Sequence, residues 1–417
     1  MRGIPLGCIG LNTETGWGET KMIEAIRIKN FKSIGNLNLP MSKFNCLVGM
    51  NGAGKSTILQ AIDFISQLMA GNVQGWLNSR KWTVQELNCK LLKESNIYVE
   101  ISYRAQSGQL LVWDASFNRH DLRCSLEKIK LENEVIFASV RQEYRFVDGY
   151  KQAISFTYQG SILSQLKESE LPQPVLEFRE ALKRIRSLEL LSPHLLRLRS
   201  RPEDRDIGAG GEKLSGYLHN VKGAAREHLL QLLKTFYPNL IDFRVASLRA
   251  GWKKLMVIEQ FGEQKLETEA THLSDGLLRI LAVLAQAESD HPLVLLDEIE
   301  NGINPEIIEK LVDVLVNARQ QIIVTTHSPM ILNYLEDDVA RSSVQYIYKS
   351  TAGETKVRRF FEIPNVGKKL EYMGAGEAFV DTDLVQLTRE CIALDIEDEN
   401  RRAEAEAWAR AKTGAGA

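Results

Sequence analysis

No stretch of this chain carries the roughly 18 consecutive apolar residues that a membrane-crossing helix needs. Its first residues also lack the basic start and apolar core of a secretion signal, so the expectation is a soluble, cytoplasmic protein with no membrane partner. Cysteine is sparse: Cys8, Cys46, Cys89, Cys124 and Cys391 are odd in number, scattered, and never spaced as metal ligands. That pattern argues against a disulfide framework or a zinc module and fits a reducing compartment. An excess of charge of either sign is missing too. Lys+Arg at 52 against Asp+Glu at 54 leaves a formal charge of -2, so no global field draws the molecule to nucleic acid or an acidic membrane, and any such binding needs a local patch. No internal repeat is found. What is present is a chain of 417 residues, 44% hydrophobic and 25% charged, with enough apolar material for one large folded domain or two ordinary ones.

Residues 1–21 are rich in Gly and Thr and show no period, whereas an alternating segment starts at Met22 with Ile23, Ile26 and Ile28; Met22 is therefore the expected natural start. From there the pattern reads strand, turn around Lys32 to Asn36, a strand ending at Phe44 to Val48, a Gly-rich loop, and a helix from Lys55 to about Met69. That helix places Ile58, Leu59, Ile62, Ile65 and Leu68 on one face. Short alternating runs from Ile97 to Tyr158 predict antiparallel strands. Helical periodicity runs from Leu176 to about Leu191 and again from Leu214 to Phe236. After strands near Asp242 to Ile258, helix and strand alternate: helix Asp275 to Ala287, strand Leu293 to Leu296, helix Pro305 to Ala318, strand Gln321 to Thr325. Such alternation indicates a parallel α/β sheet. The Ala-rich, charged tail from Glu397 predicts a short helix fraying at its end.

Four features carry chemistry. Gly49-Met50-Asn51-Gly52-Ala53-Gly54-Lys55-Ser56 fits G-x-x-x-x-G-K-[ST] between a strand and a helix, the context that pattern needs. Backbone N–H groups from Gly49 and Asn51 through Gly52, Ala53 and Gly54 to Thr57 curl around phosphates, Lys55 neutralises their charge, and the Ser56 hydroxyl ligates Mg²⁺. At the end of the apolar run Leu293 to Leu296, Asp297 and Glu298 supply a carboxylate for the metal and a base for water. Leu273-Ser274-Asp275-Gly276 opens a helix about one element upstream, where Ser274 and Gly276 would meet a phosphate. His327, in Thr325-Thr326-His327-Ser328-Pro329, follows the next strand and is placed for a γ-phosphate contact. The loop, the acidic pair and the histidine have plainer readings as a Gly-rich turn, a solvated acidic pair and a structural histidine; it is the order of the four features that favours chemistry.

That order, phosphate loop, Leu-Ser-x-Gly signature, Asp-Glu strand and post-strand His, resembles the ABC ATPases. Ile26-Arg27-Ile28-Lys29-Asn30-Phe31-Lys32-Ser33 before the loop and Asp297-Glu298-Ile299-Glu300-Asn301-Gly302-Ile303-Asn304-Pro305 after the strand look like the RecF/SMC-like branch, compact bacterial ATPases found with DNA repair and anti-phage defence systems. The resemblance implies an α/β fold, the ABC-type P-loop nucleotide-binding domain with a mixed sheet, an antiparallel β subdomain and a helical insertion. It implies ATP and Mg²⁺ as cofactors. It further implies that Ser274 and Gly276 of one subunit close on ATP held by Lys55 of another, that His327 senses the γ-phosphate, and that Asn301 to Pro305 communicates across the dimer. The family's Mg²⁺-contacting Gln has only Gln142 as a candidate and stays unassigned. Asp275 stands where transporters have Gly. A second Leu-Ser-Gly, Leu214-Ser215-Gly216, lies too far upstream of the acidic strand for the family's register.

The expected organisation is a leader (1–21), an N-terminal lobe (22–165), a helical insertion (166–240), a C-terminal lobe (241–396) and a tail (397–417). The interval between loop and signature is too short for the coiled coils of SMC proteins, and the stretch after His327 shows no acidic cluster of a TOPRIM nuclease. Two functional classes stay open: an ATPase switch, homodimeric or larger, controlling a separate nuclease or toxin effector in defence, and a RecF-like clamp that holds DNA. A nucleotide-dependent scaffold with slow turnover is a third. The basic run Arg179, Lys183, Arg184, Arg186, Arg197, Arg199, Arg201 and Arg205 serves either DNA phosphates or ion pairs with the interleaved Glu and Asp residues.

Overall fold

The computed structural model describes residues 21–147, 149–202 and 206–414, with the side chains of 402 and 406–414 left aside. Nearly all of the expected leader, and with it the question of the start at Met22, lies outside the described residues. At the centre is a six-stranded sheet ordered Arg186–Leu188, Leu293–Leu296, Gln321–Thr325, Phe44–Val48, Val344–Lys349, Thr355–Arg359. Its first five strands are parallel and the last is antiparallel. Phe44–Val48, Leu293–Leu296 and Gln321–Thr325 are buried at every residue, as strands covered on both faces must be.

Because successive side chains point to opposite faces, this sheet divides the core in two. Phe44, Cys46, Val48, Val294, Leu296, Ile322 and Val324 join the core containing helix Asp275–Ala287 and helix Pro305–Val316. Leu47, Leu293, Leu295, Ile323 and Ile347 join the core containing helix Lys55–Ala70. That second core is closed by an eight-stranded antiparallel sheet built from Met22–Phe31, Ile34–Pro40 and six strands between Asn96 and Ala153. A register shift between Ile23 and Ala25 explains why the apolar spacing steps by three before resuming its alternation at Ile26 and Ile28. A third, three-stranded antiparallel sheet, Leu240–Ser247, Lys253–Phe261 and Gln264–Glu269, leads directly into Ser274.

The structure departs from the periodicity in four places. Within the predicted helix 176–191 the chain forms helix Gln173–Lys183 and then strand Arg186–Leu188, so the stretch expected to be purely helical also supplies an edge to the central sheet. The predicted helix 214–236 is broken into Leu214–Asn220 and Gly223–Phe236, with Val221 extended and Gly223 at φ +58°. The three-stranded sheet adds strand Gln264–Glu269 to those expected. The tail helix starts far earlier than Glu397, running Leu384–Gly414. Leu387 and Cys391 bury its first half, and Arg358 holds Asp395 at 2.8 Å and Asp398 at 2.5 Å.

Candidate active site

Parallel strands send their C-terminal loops to one edge, where open α/β sheets bind ligands. Here Phe44–Val48 delivers the Gly49–Ser56 loop, its neighbour Gln321–Thr325 delivers His327, and the next strand, Leu293–Leu296, delivers Asp297 and Glu298. Gly49 and Gly54 have φ of +146° and +113°. A Cβ on them would stand 2.2 Å from the Ile347 carbonyl oxygen and 2.2 Å from Thr355 Oγ1 respectively, so both the backbone angle and the space demand glycine. Helix Lys55–Ala70 starts without a side-chain cap, leaving its first N–H groups and their positive potential for an anion. Lys55, 5% exposed, donates to the carbonyls of Gly49 at 2.9 Å and Met50 at 3.3 Å. Burial lowers its pKa against the opposing pull of Asp297, Glu298 and Glu300.

Ser56 Oγ donates to Asp297 Oδ1 at 3.3 Å. A carboxylate and a hydroxyl side by side at the mouth of a phosphate loop are the hard oxygen donors Mg²⁺ takes together with phosphate and water, so these residues fit the ion. Thr325, in the strand between them, donates to Asp297 Oδ1 at 2.5 Å and accepts the Glu298 amide at 2.8 Å. Glu298 is held at φ +49°, a conformation unusual for a residue with a side chain. Asn301 Nδ2 reaches its Oε2 at 3.4 Å. Glu300 Oε1 accepts the His327 amide at 2.7 Å, while His327 itself is exposed. Thr325 and Glu300 stand in the sequence motifs with no role of their own, although Thr325-Thr326 is visible there as a polar end to an apolar strand.

Ser274 caps helix Asp275–Ala287, its Oγ accepting the Leu277 amide at 3.3 Å. Ser274 and Asp275 are exposed, and a Cβ at Gly276 would face Gly302, Tyr237 and Ile303. This helix lies on the sheet face opposite helix Lys55–Ala70. The signature thus stands apart from its own chain's phosphate loop, while Asp297, Ser56, Thr325 and Glu298 come together. The rival Leu-Ser-Gly is structural: Ser215 is 1% exposed, and a Cβ on Gly216 would stand 1.9 Å from the Arg201 carbonyl oxygen. Gln142 sits in the exposed turn between Glu134–Val140 and Glu143–Phe146, its carbonyl accepting the Ile154 amide, and nothing there assigns it to the metal.

The basic run is largely taken up in ion pairs. Arg179 is buried beside Glu180, Arg184 pairs with Asp290, Arg186 with Asp206, Arg197 with Asp275 and Arg199 with Glu269; Arg201 lies over the Trp252 ring at 5.7 Å. Arg205 lies outside the described residues. No helix of the described residues is long and apolar enough to cross a membrane.

A family model described as "AAA domain, putative AbiEii toxin, Type IV TA system" matches residues 125–333, half of the chain, and an "AAA ATPase domain" model matches residues 22–173. The "OLD nuclease" of Thermus scotoductus is 43% identical over 44 residues, which is 11% of this chain and 8% of that protein. In fold, the chain is similar to an SmcHead bound to the C-winged helix domain of ScpA (TM-score 0.51, 16% identity, 81% of this chain and 97% of that one). It is also similar to the Smc head with an extended coiled coil from Pyrococcus furiosus (TM-score 0.50, 13% identity, 81% and 96%). The chain belongs to the AAA-domain family of that first description, on a fold like that of SMC heads.

Proposed function

We propose that the protein is an ATP-driven switch: two copies close on ATP and Mg²⁺, hydrolyse the nucleotide, and by opening and closing control a separate nuclease or toxin effector. The carrying observation is that the helix after the phosphate loop and the helix opened by the signature lie on opposite faces of one sheet, which leaves an exposed Ser274 free to meet a phosphate held by another copy. Ser56 and Asp297 would hold Mg²⁺, which when bound would neutralise phosphate charge. Lys55 and the loop amides bind the β- and γ-phosphates. Glu298 takes a proton from the attacking water as its oxygen bonds to the γ-phosphorus and the bond to the departing ADP oxygen breaks. His327 is placed to hold the γ-phosphate.

The effector assignment is supported by the toxin–antitoxin description of the matching family and by the local likeness to a nuclease. The DNA-clamp reading has less support, because Arg179, Arg184, Arg186, Arg197 and Arg199 of the basic run are engaged in ion pairs. The test is the solution mass of the Glu298→Gln protein with and without ATP and Mg²⁺, by light scattering. A doubled mass that Ser274→Arg abolishes supports closure; bound nucleotide with unchanged mass overturns it and favours a static scaffold.

A further inference from the structure

We propose that the Arg197–Asp275 ion pair sets how tightly the signature of one copy closes on the ATP of another, with Asp275 opposing the nucleotide and Arg197 cancelling that opposition. The inference rests on the closing reaction proposed above.

Asp275 is the first residue of helix Asp275–Ala287 and the neighbour of Ser274, and both are exposed. For its own helix a carboxylate in the first turn is favourable, because it faces the positive end of the backbone dipole. For an arriving polyphosphate the sign reverses. The carboxylate stands where the phosphate charge must come, and closure removes the water that would screen the two. A signature with an uncompensated Asp275 would weaken the contact it exists to make.

Arg197 supplies the compensation. Its Nη2 lies 2.5 Å from Asp275 Oδ1 and donates at 2.7 Å to the carbonyl of Leu273, so one guanidinium grips the chain on both sides of Ser274. The two side chains are 24% and 52% exposed, which keeps the pair at the surface that would meet the partner. The segment carrying Arg197 is pinned independently of Asp275: Leu196 is fully buried, and two residues on Arg199 pairs with Glu269, which also holds Lys254 at 3.2 Å. Arg197 is therefore a fixed counter-charge and a positioning residue. Arg279, one turn into the same helix, also feels Asp275, but its guanidinium is buried and turned to Asn301, leaving Arg197 to face the surface. Exposed pairs contribute little to folding, so the variants below should remain folded.

The experiment uses the full chain with Glu298→Gln, which blocks turnover, and reads the ATP concentration giving half-maximal dimer at low and high salt. Arg197→Ala should raise it about tenfold or more at low salt, as like charges brought together in an interface do, and by less at high salt, where the repulsion is screened. Asp275→Asn should lower it or leave it unchanged. Arg197→Lys and the double variant Arg197→Ala/Asp275→Asn should both return close to the parent. If Asp275→Asn weakens closure, if the double variant is no better than Arg197→Ala, or if Arg197→Lys fails as Ala does, Arg197 acts by shape and the proposal is overturned. If the Glu298→Gln parent binds ATP but never dimerises, the closing reaction itself has failed and takes this inference with it.

Discussion

The hydroxyl of Thr325 lies 2.5 Å from Oδ1 of Asp297, and the oxygen that gives this hydrogen bond also accepts the amide of Glu298. One side chain from a neighbouring strand therefore orients both acids. Thr325→Val keeps the shape and removes both bonds. Such outer partners of a metal carboxylate typically matter 10–100-fold, so the ATP hydrolysis rate should fall by about that factor and the Mg²⁺ concentration for half-activity should rise. ATP binding without Mg²⁺ should hardly change. An unchanged Mg²⁺ titration would show that Asp297 needs no such support.

Lys55 and Gly49 should fail in different ways. Lys55→Ala removes a charge whose hydrogen bonds among the described residues go to the loop carbonyls of Gly49 and Met50, so the fold should persist while ATP affinity drops by ~3 kcal/mol, about 100-fold. Gly49→Ala forces a Cβ against the Ile347 carbonyl at an unfavourable φ, and should lower the melting temperature as well as abolish binding. Thermal unfolding combined with a fluorescent ATP analogue separates the two; equal melting temperatures would contradict the packing argument.

The parts of the site that were legible in sequence are those whose chemistry is local. A glycine loop between strand and helix, and two acids ending an apolar strand, carry their context within a dozen residues. The role of Thr325 was hidden because a polar end to an apolar strand does not report which acids folding brings to its hydroxyl. Strand Arg186–Leu188 was hidden because three residues form a strand only where Leu293–Leu296 offers an edge, a tertiary cause that no helical period reports. Arg197 looked like one more charge in a basic run; its partner Asp275 is brought to it by folding. The tail helix began earlier than expected because Leu387 and Cys391 pack on the core well before the charged composition at Glu397.

A buried acid away from the site predicts a pH dependence. Glu127 is 1% exposed and accepts bonds from Trp113 Nε1 at 3.1 Å, the Ile162 amide at 2.7 Å and Ser161 Oγ. Burial raises its pKa to about 7 against the pull of those donors. The folded chain then holds a proton that the unfolded chain releases near the ordinary value of 4.5. Stability from this group is therefore present below about pH 4.5 and lost as pH rises to about 7, by roughly 3 kcal/mol at 1.36 kcal/mol per unit. In Glu127→Gln that slope should vanish, whatever constant cost its amide incurs beside Trp113. Urea unfolding of both proteins from pH 5 to 8 checks this, and parallel curves would refute it.

Arg279 joins the signature helix to Glu298, the acid proposed to activate water, in the same chain. It is 5% exposed, one of its terminal nitrogens donates to the Asn301 carbonyl, and Asn301 in turn bonds Glu298 through side chain and amide. Burial lowers the Arg279 pKa, opposed by Asp275 and Glu298. A signature engaged by a partner's ATP would thereby bear on the base acting at its own site. Arg279→Met keeps the length and apolar packing, and replacing a buried ion in this way is often tolerated by the fold. Couplings through such contacts are worth about 0.5–2 kcal/mol, so hydrolysis should fall ~2–30-fold while ATP-dependent dimerisation in the Glu298→Gln background shifts little. If hydrolysis and dimerisation fall together, Arg279 supports the signature helix alone, and the link to Glu298 carries no catalytic information.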